Sequence, residues 1–262
     1  MLDRDRLSSH LHNEDELMLA GYIFDKIEMV IERKTNESTN FLNPYQTEVA
    51  AGIIKQIYDV NYIVDGGYRE AERKRVTIFP EYLFPDHVDS PVSILKLSGN
   101  FKFQPVNHQD FLGAIMGLGI KREMVGDIII TDDFAQLMIA DELKDFVSMK
   151  LNQVHEVPVE VSEIDSDNLV IPSENTKEIR TTVASMRLDA VASAGFGDSR
   201  SKISRDIKNE KVKVNWKVET NPASDVNIGD LISIRGRGRV KVDQDIGLSH
   251  RGRIKLILQR YT

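Results

Sequence analysis

The sequence predicts an α+β protein in three parts: a helical N-terminal segment, a small α+β middle domain, and a C-terminal module in which a helix pair leads into antiparallel strands. Three observations predict it. An apolar stripe at helical spacing fills residues 15–34, short β-rich runs dominate from about residue 75 to residue 164, and after residue 181 helix signals give way to alternating strands. With 262 residues and 41% hydrophobic side chains, the chain can bury more than one core.

In the first part, Leu17, Leu19, Ile23, Phe24, Ile27, Val30 and Ile31 recur near a 3.6-residue period and mark an amphipathic helix. Asn43, Pro44 and Gln46 read as an N-cap, a first-turn proline and a capping-box partner, opening a second helix to about Tyr58 before Gly66-Gly67 breaks the chain. The first domain is therefore expected over 1–75 and the middle one over 76–165. In the middle, strands are expected at Val76–Phe79, Val92–Leu97, Asp127–Thr131, Phe134–Ile139 and Val157–Ile164, with helices near 109–118 and 141–150. Pro158, Pro172 and the polar stretch Asp165–Lys177 are expected to mark the boundary of the last domain, 181–262.

The last domain opens with a helix signal over Val183–Ala194. Gly195-Phe196-Gly197-Asp198 then turns the chain, and Ser199 is placed to cap a second helix to about Asn209. A strictly alternating strand follows over Lys211–Val218, with Trp216 on its apolar, core-facing side, and further strands are expected at Leu231–Arg235 and Arg253–Tyr261.

Charge is the first guide to function. The net charge of −7 hides a polarised chain: residues 1–75 carry −4, residues 76–180 carry −10 and residues 181–262 carry +7. A basic module on an acidic body attracts phosphate while limiting indiscriminate adhesion. The absence of cysteine excludes disulfides, thiolate metal sites and a cysteine nucleophile. No run approaches a membrane-spanning helix, and the polar start Met1-Leu2-Asp3-Arg4-Asp5-Arg6 does not suit a signal peptide, so a cytoplasmic protein with no membrane partner is expected. Phosphate-loop, dinucleotide-binding and nucleophile-elbow motifs are missing.

Within the basic module the cations are patterned. At 100° per residue from Arg200, Ile203 and Ile207 fall at about 300° and 340°, whereas Lys208, Arg205 and Lys202 fall at about 80°, 140° and 200°. One face packs inward and the other presents cations at helical pitch to a phosphate backbone. The following strand sets Lys211, Lys213, Asn215 and Lys217 on one face. Arg235-Gly236-Arg237-Gly238-Arg239 makes a basic turn in which glycine permits close approach and arginine supplies forked donors.

These residues resemble a known module. Met186-Arg187-Leu188-Asp189, Ser199-Arg200-Ser201-Lys202, Lys211-Val212-Lys213-Val214-Asn215-Trp216, and Val226-Asn227-Ile228-Gly229-Asp230 with Ile232-Ser233-Ile234-Arg235-Gly236 are similar to the S4 RNA-binding domain, in its order and spacing. Over nearly the whole chain, Phe41-Leu42-Asn43-Pro44 and Gly117-Leu118-Gly119-Ile120-Lys121-Arg122-Glu123 running into Gly126-Asp127-Ile128 resemble the YlmH-type proteins of Gram-positive bacteria. That resemblance implies a non-enzymatic protein that binds ribosomal RNA on the large ribosomal subunit, near tRNA, and handles obstructed subunits that still carry peptidyl-tRNA. It also implies a second RNA-binding domain in the middle segment and a gene in a cell-division cluster. The RNA-binding residues expected are Arg187, Ser199, Arg200, Ser201, Lys202, Arg205, Lys208, Lys211, Lys213, Asn215, Arg235 and Arg237, with Lys121 and Arg122 as a candidate second contact.

Competing readings stay open. Arg187-Leu188-Asp189 also resembles the triplet that carries the catalytic aspartate of some pseudouridine synthases, but it lies inside the helix pattern of the last module, so Asp189 is read as a helix-surface carboxylate. An RNA-modifying enzyme and a cell-division adaptor remain the alternative functions. The six histidines, with His10 and His12 near the start, lack metal-ligand spacing, and Asp132-Asp133 and Asp141-Glu142 are read as ordinary loop and helix-start acids; no metal and no cofactor are expected. Nothing in the pattern calls for more than a monomer.

Overall fold

The computed structural model describes every residue except 1, 12, 102, 103, 105, 173–175 and 262, so His12 and part of the expected 165–177 boundary lie outside the described residues. Among the described residues, seven helices and fourteen strands build three antiparallel sheets, an α+β protein with helices leading. The chain divides into two compact units, 1–172 and 173–262.

The first unit begins with α1 (Arg4–Ser8) and α2 (Glu14–Arg33), the latter capped by the Asn13 side chain, which accepts from the Glu16 amide at 2.7 Å. Strand β1 (Glu37–Ser38) leads to α3 (Pro44–Ile54), where Asn43 and Gln46 form the expected capping box. Strands β2 (Val60–Asp65) and β3 (Arg75–Pro80) complete a sheet of order β1-β3-β2. Ile23, Ile27 and Val30 of α2 join Ile53 and Ile54 of α3 in one core with Val76 and Ile78 of the sheet.

The strand expected at Val76–Phe79 therefore belongs to the first sheet and not to the middle one: β3 pairs with β2 from Arg75 opposite Asp65 to Pro80 opposite Val60. Local propensity marks a strand without naming its partner. The middle sheet holds β4 (Val92–Gly99), β5 (Val125–Ile130), β6 (Phe134–Ala140), β7 (Gln153–Val154) and β8 (Val157–Ile164) in the order β5-β6-β4-β8-β7. Helices α4 (His108–Gly117) and α5 (Lys144–Lys150) pack Phe111, Ile115 and Val147 onto Leu95, Leu97, Leu137 and Ile139. The helix expected over 141–150 opens as a 3-10 turn over Asp141–Leu143, and Pro158 sits inside β8 instead of marking a boundary.

Two polar ties join the parts of this unit. The buried Arg75 donates to the carbonyls of Thr39 and Pro91 at 2.6 and 2.7 Å and grips both oxygens of Glu142 at 2.7 and 2.9 Å. Asp127 accepts from the Tyr68 hydroxyl and from the amides of Glu72 and Arg73.

The second unit places β9 (Thr176–Val183) beside the last strand, then runs α6 (Leu188–Phe196), α7 (Arg200–Lys208), β10 (Val212–Val214), β11 (Lys217–Val218), β12 (Leu231–Ile234), β13 (Gly238–Leu248) and β14 (Ile254–Tyr261). The sheet order is β11-β10-β12-β13-β14-β9. Leu188, Val191, Phe196, Ile203 and Ile207 of the helices share a core with Val212, Ile232, Ile234, Val240, Val242, Leu256 and Leu258. Gly195 permits the close approach of α6 to the sheet: a Cβ there would lie 2.7 Å from Val240 Cγ1.

Two expectations change here. The helix signal over 183–194 starts only at Leu188, because Thr176–Val183 is drawn into eight cross-strand pairs with β14. The alternating run 211–218 is not one strand but a hairpin: Asn215 and Trp216 adopt φ of 48° and 65° at its tip, so Trp216 leaves the core face and is only partly buried. The Asn215 side chain steadies that turn by donating to Asp230 at 2.8 Å and accepting from the Leu231 amide at 2.9 Å.

Candidate RNA interface

The helix pair of the second unit carries the candidate site. Ser199 caps α7 as expected, its hydroxyl accepting from the Lys202 amide. Ile203, Asp206 and Ile207 are buried, whereas Arg200, Ser201, Lys202, Arg205 and Lys208 are exposed. The arc expected from the sequence is thus the solvent face.

Three carboxylates organise this face, and none was singled out as an organiser by sequence pattern. Asp189, only 5% exposed, accepts from Arg187 Nε and Nη2 at 3.2 and 3.1 Å and from Arg200 Nη2 at 2.7 Å. It is not the surface acid expected but the buried clamp that brings two candidate arginines together. Burial pushes its carboxyl up, but the hydrogen bonds from Arg187 and Arg200 outweigh that and hold it below its ordinary range. The same bond raises the Arg187 guanidinium, against slight desolvation.

Asp198 and Asp206 form the second centre. Arg237 reaches from the β12–β13 turn to Asp198 at 2.6 Å and Asp206 at 2.5 Å, while Lys202 meets Asp198 at 2.7 Å and Lys211 approaches Asp206 at 3.9 Å. The Lys202 hydrogen bond, with the charge of Arg237 behind it, lowers the Asp198 carboxyl below its ordinary value. Arg237, half-buried between two acids, closes the turn onto the helices and is not a forked donor presented to solvent. The signal for Asp206 was legible: at about 240° on the α7 wheel it falls on the edge of the apolar arc, where a carboxylate needs a cation.

The remaining expected residues divide. Arg205, Lys208, Lys213 and Arg235 are exposed and, among the described residues, have no ion-pair partner. Lys213 alternates with the buried Val212, so it leaves the opposite face of the sheet from the helices, in one cross-strand row with Ser233 and Arg239. Asn215 is engaged in its hairpin turn. In the first unit Lys121 is exposed, but Arg122 is turned inward, donating to the carbonyl of Val125, and burial lowers its guanidinium. Arg73 beside it donates to Val125 and Phe41 carbonyls, and burial with the charge of Arg122 lowers it to about 10. Arg122 thus braces its own turn into β5, while Arg73 ties Phe41 to that strand.

No group of three or more metal-binding side chains gathers among the described residues. Asp141 is instead bonded by Ser93 and Lys144, and Glu142 by Arg75. No described helix is long and apolar enough to cross a membrane.

Comparison with known proteins gives matches along most of the chain. Residues 20–83 match the family model "YlmH, N-terminal", residues 85–168 match "Putative RNA-binding domain in YlmH", and residues 186–232 match "S4 domain". Over 247 residues the chain is 34% identical to "Ribosome-associated protein quality control protein P2" of Bacillus subtilis (strain 168), covering 94% of this chain and 96% of that protein. The chain belongs to the YlmH family. Its α6–α7 pair and the strands to β12 are accordingly an S4 domain, and the clamp of Asp189 on Arg187 and Arg200 lies within it. The fold is also similar to "Cell division protein ylmH from Streptococcus pneumoniae", with a TM-score of 0.52 at 24% identity, covering 61% of this chain and 97% of that one.

Proposed function

We propose that this YlmH-family protein is a non-enzymatic factor that docks its S4 domain on structured RNA of the large ribosomal subunit, beside peptidyl-tRNA, in the handling of stalled ribosomes. The observation that carries the reading is the guanidinium pair of Arg187 and Arg200, set by the buried Asp189 next to the exposed Arg205 and Lys208 on α7. Positioned guanidinium donors suit phosphate geometry, and an S4-type face with few exposed aromatics reads the shape of folded RNA more than a base sequence. The B. subtilis relative bears the name of a ribosome-associated quality control protein, and its match along 94% of this chain supports the same setting here. The protein acts as a soluble cytoplasmic monomer without cofactor.

In this reading Arg187, Arg200, Arg205 and Lys208 contact phosphate directly, with Ser201 and Lys202 at the margin. Arg235 extends the field at the turn before β13, while Lys213 leaves the other side of the sheet and lies outside this face. Arg237, Lys211 and Asn215 hold the scaffold. The test is crosslinking and sequencing of RNA bound to the tagged protein in cells, with sucrose-gradient fractionation of wild type and Arg200→Ala/Arg205→Ala. Contacts in large-subunit RNA and tRNA that vanish in the variant are expected. Dispersed contacts without ribosome co-migration, or co-sedimentation with division proteins alone, would remove the ribosomal assignment.

A further inference from the structure

The first unit carries an aromatic surface that the RNA reading does not use. Tyr58 is 92% exposed, Tyr82 65% and Phe84 70%. Tyr58 lies far from Tyr82 and Phe84 in sequence, but β2 and β3 bring these segments together: Val60 pairs with Pro80, and the Glu81 amide donates to the Asp59 carbonyl at 3.1 Å. That register sets Tyr58 and Tyr82 one residue beyond the same hydrogen-bonded step, on neighbouring chains. Phe84 follows two residues later, its ring edge-on to His87 at 6.2 Å. Large rings left this open to water at one sheet end mark contact surfaces, because tyrosine and phenylalanine supply much interface area with few rotatable bonds.

The charge around the rings selects the partner. Asp59, Glu81 and Asp86, the acids within two residues of the rings in sequence, are all exposed, and residues 81–90 contain no lysine or arginine. Lys55, at the C-cap of α3, is the nearest cation in sequence. Stacking surfaces for unpaired bases join aromatic rings to a cationic groove that tracks phosphate, and here the border has the opposite sign. Aromatic faces ringed by carboxylates instead suit guanidinium and ammonium groups, which gain cation–π contact from the ring and charge pairing from the border.

We propose that the Tyr58, Tyr82 and Phe84 surface docks a cationic polypeptide segment rich in arginine and lysine, so that the first unit makes a protein contact separate from the S4 domain. The surface lies in residues 1–172 and the inference stands whether or not the S4 domain binds ribosomal RNA.

The test uses the full chain. Fluorescence anisotropy is measured with a labelled arginine- and lysine-rich peptide and, separately, with a labelled oligouridylate. Wild type, Tyr58→Ser/Tyr82→Ser, Glu81→Gln/Asp86→Asn and the remote charge-matched control Asp132→Asn/Asp167→Asn are compared on an Arg200→Ala/Arg205→Ala background, which separates this surface from the S4 cations. The peptide is expected to bind, with affinity lowered about tenfold by the aromatic pair and severalfold by the acidic pair, and unchanged in the control. A thermal melt checks that each variant remains folded; these side chains are exposed, and Phe84→Ser serves in place of any that is not. Peptide binding unaffected by the aromatic variants, or lowered equally by the control, overturns the proposal. Oligouridylate binding that depends on Tyr58 and Tyr82 while the peptide does not bind overturns it in favour of a nucleic-acid surface.

Discussion

Replacing Arg205 and Lys208 together by alanine tests the α7 face without disturbing its scaffold. Both side chains are exposed, lie opposite Ile203 and Ile207, and have no ion-pair partner among the described residues, so each delivers a full charge to a phosphate. The cations around the acidic centres deliver less. Arg187 and Arg200 share Asp189, for a net charge of about +1. Lys202, Lys211 and Arg237 share Asp198 and Asp206, again for about +1. With Arg205, Lys208 and Arg235 the face carries roughly +5, Lys213 lying on the other side of the sheet. At 0.7 to 0.9 released counterions per phosphate neutralised, log affinity should then fall against log salt with a slope of about −3.5 to −4.5. The double variant should reduce that slope by about 1.5. It should also weaken binding at low salt by roughly 10- to 100-fold, as expected when two exposed charge-assisted contacts are lost. The assay is anisotropy with a structured large-subunit RNA fragment from 50 to 300 mM KCl, next to a thermal melt in which the variant should match wild type. A slope within 0.3 of wild type in a folded variant would refute the assignment of α7 to the phosphate contact.

Three further outcomes are expected. Asp189→Asn adds positive charge yet should weaken RNA binding severalfold, because Arg187 and Arg200 lose their shared anchor; tighter binding in the same anisotropy assay would show that charge alone matters. Since the folded Asp189 carboxyl is depressed, the stability it contributes is present above the unfolded value of about 3.9 and is lost as pH falls through the lower folded value, so wild type and Asp189→Asn should converge in denaturant melts only below about pH 4. Arg237→Ala should lower the melting temperature of the S4 domain by several degrees, on a scale of about 4–8 °C per kcal/mol for a domain of this size, while the salt slope falls by less than in the α7 double variant; the reverse pattern would make Arg237 a phosphate contact. Gly195→Ala should cost about 1–3 kcal/mol through overpacking against Val240, read as a lower urea midpoint with an unchanged m-value.

The sequence by itself determined what depends on neighbours along the chain. The α2 stripe at Ile23, Phe24, Ile27 and Val30, the Asn43 capping box, the Ser199 cap and the inward Ile203 and Ile207 of α7 follow from periodicity and end chemistry, and all are present, whereas Leu17 of the expected stripe is 46% exposed. The α+β class and the basic last third were legible along the chain too, and the S4 motif order was legible through its resemblance to a known module. Tertiary structure alone decided the partners. It moved β3 into the first sheet, recruited Thr176–Val183 as the edge strand beside β14, and bent the alternating run at Asn215 and Trp216, because strand pairing is a long-range choice that no local pattern encodes. It also sorted the cations. Arg205 and Arg237 look alike in sequence, yet one faces solvent and the other bridges Asp198 and Asp206, since a guanidinium beside buried carboxylates must pair with them before it can meet a ligand.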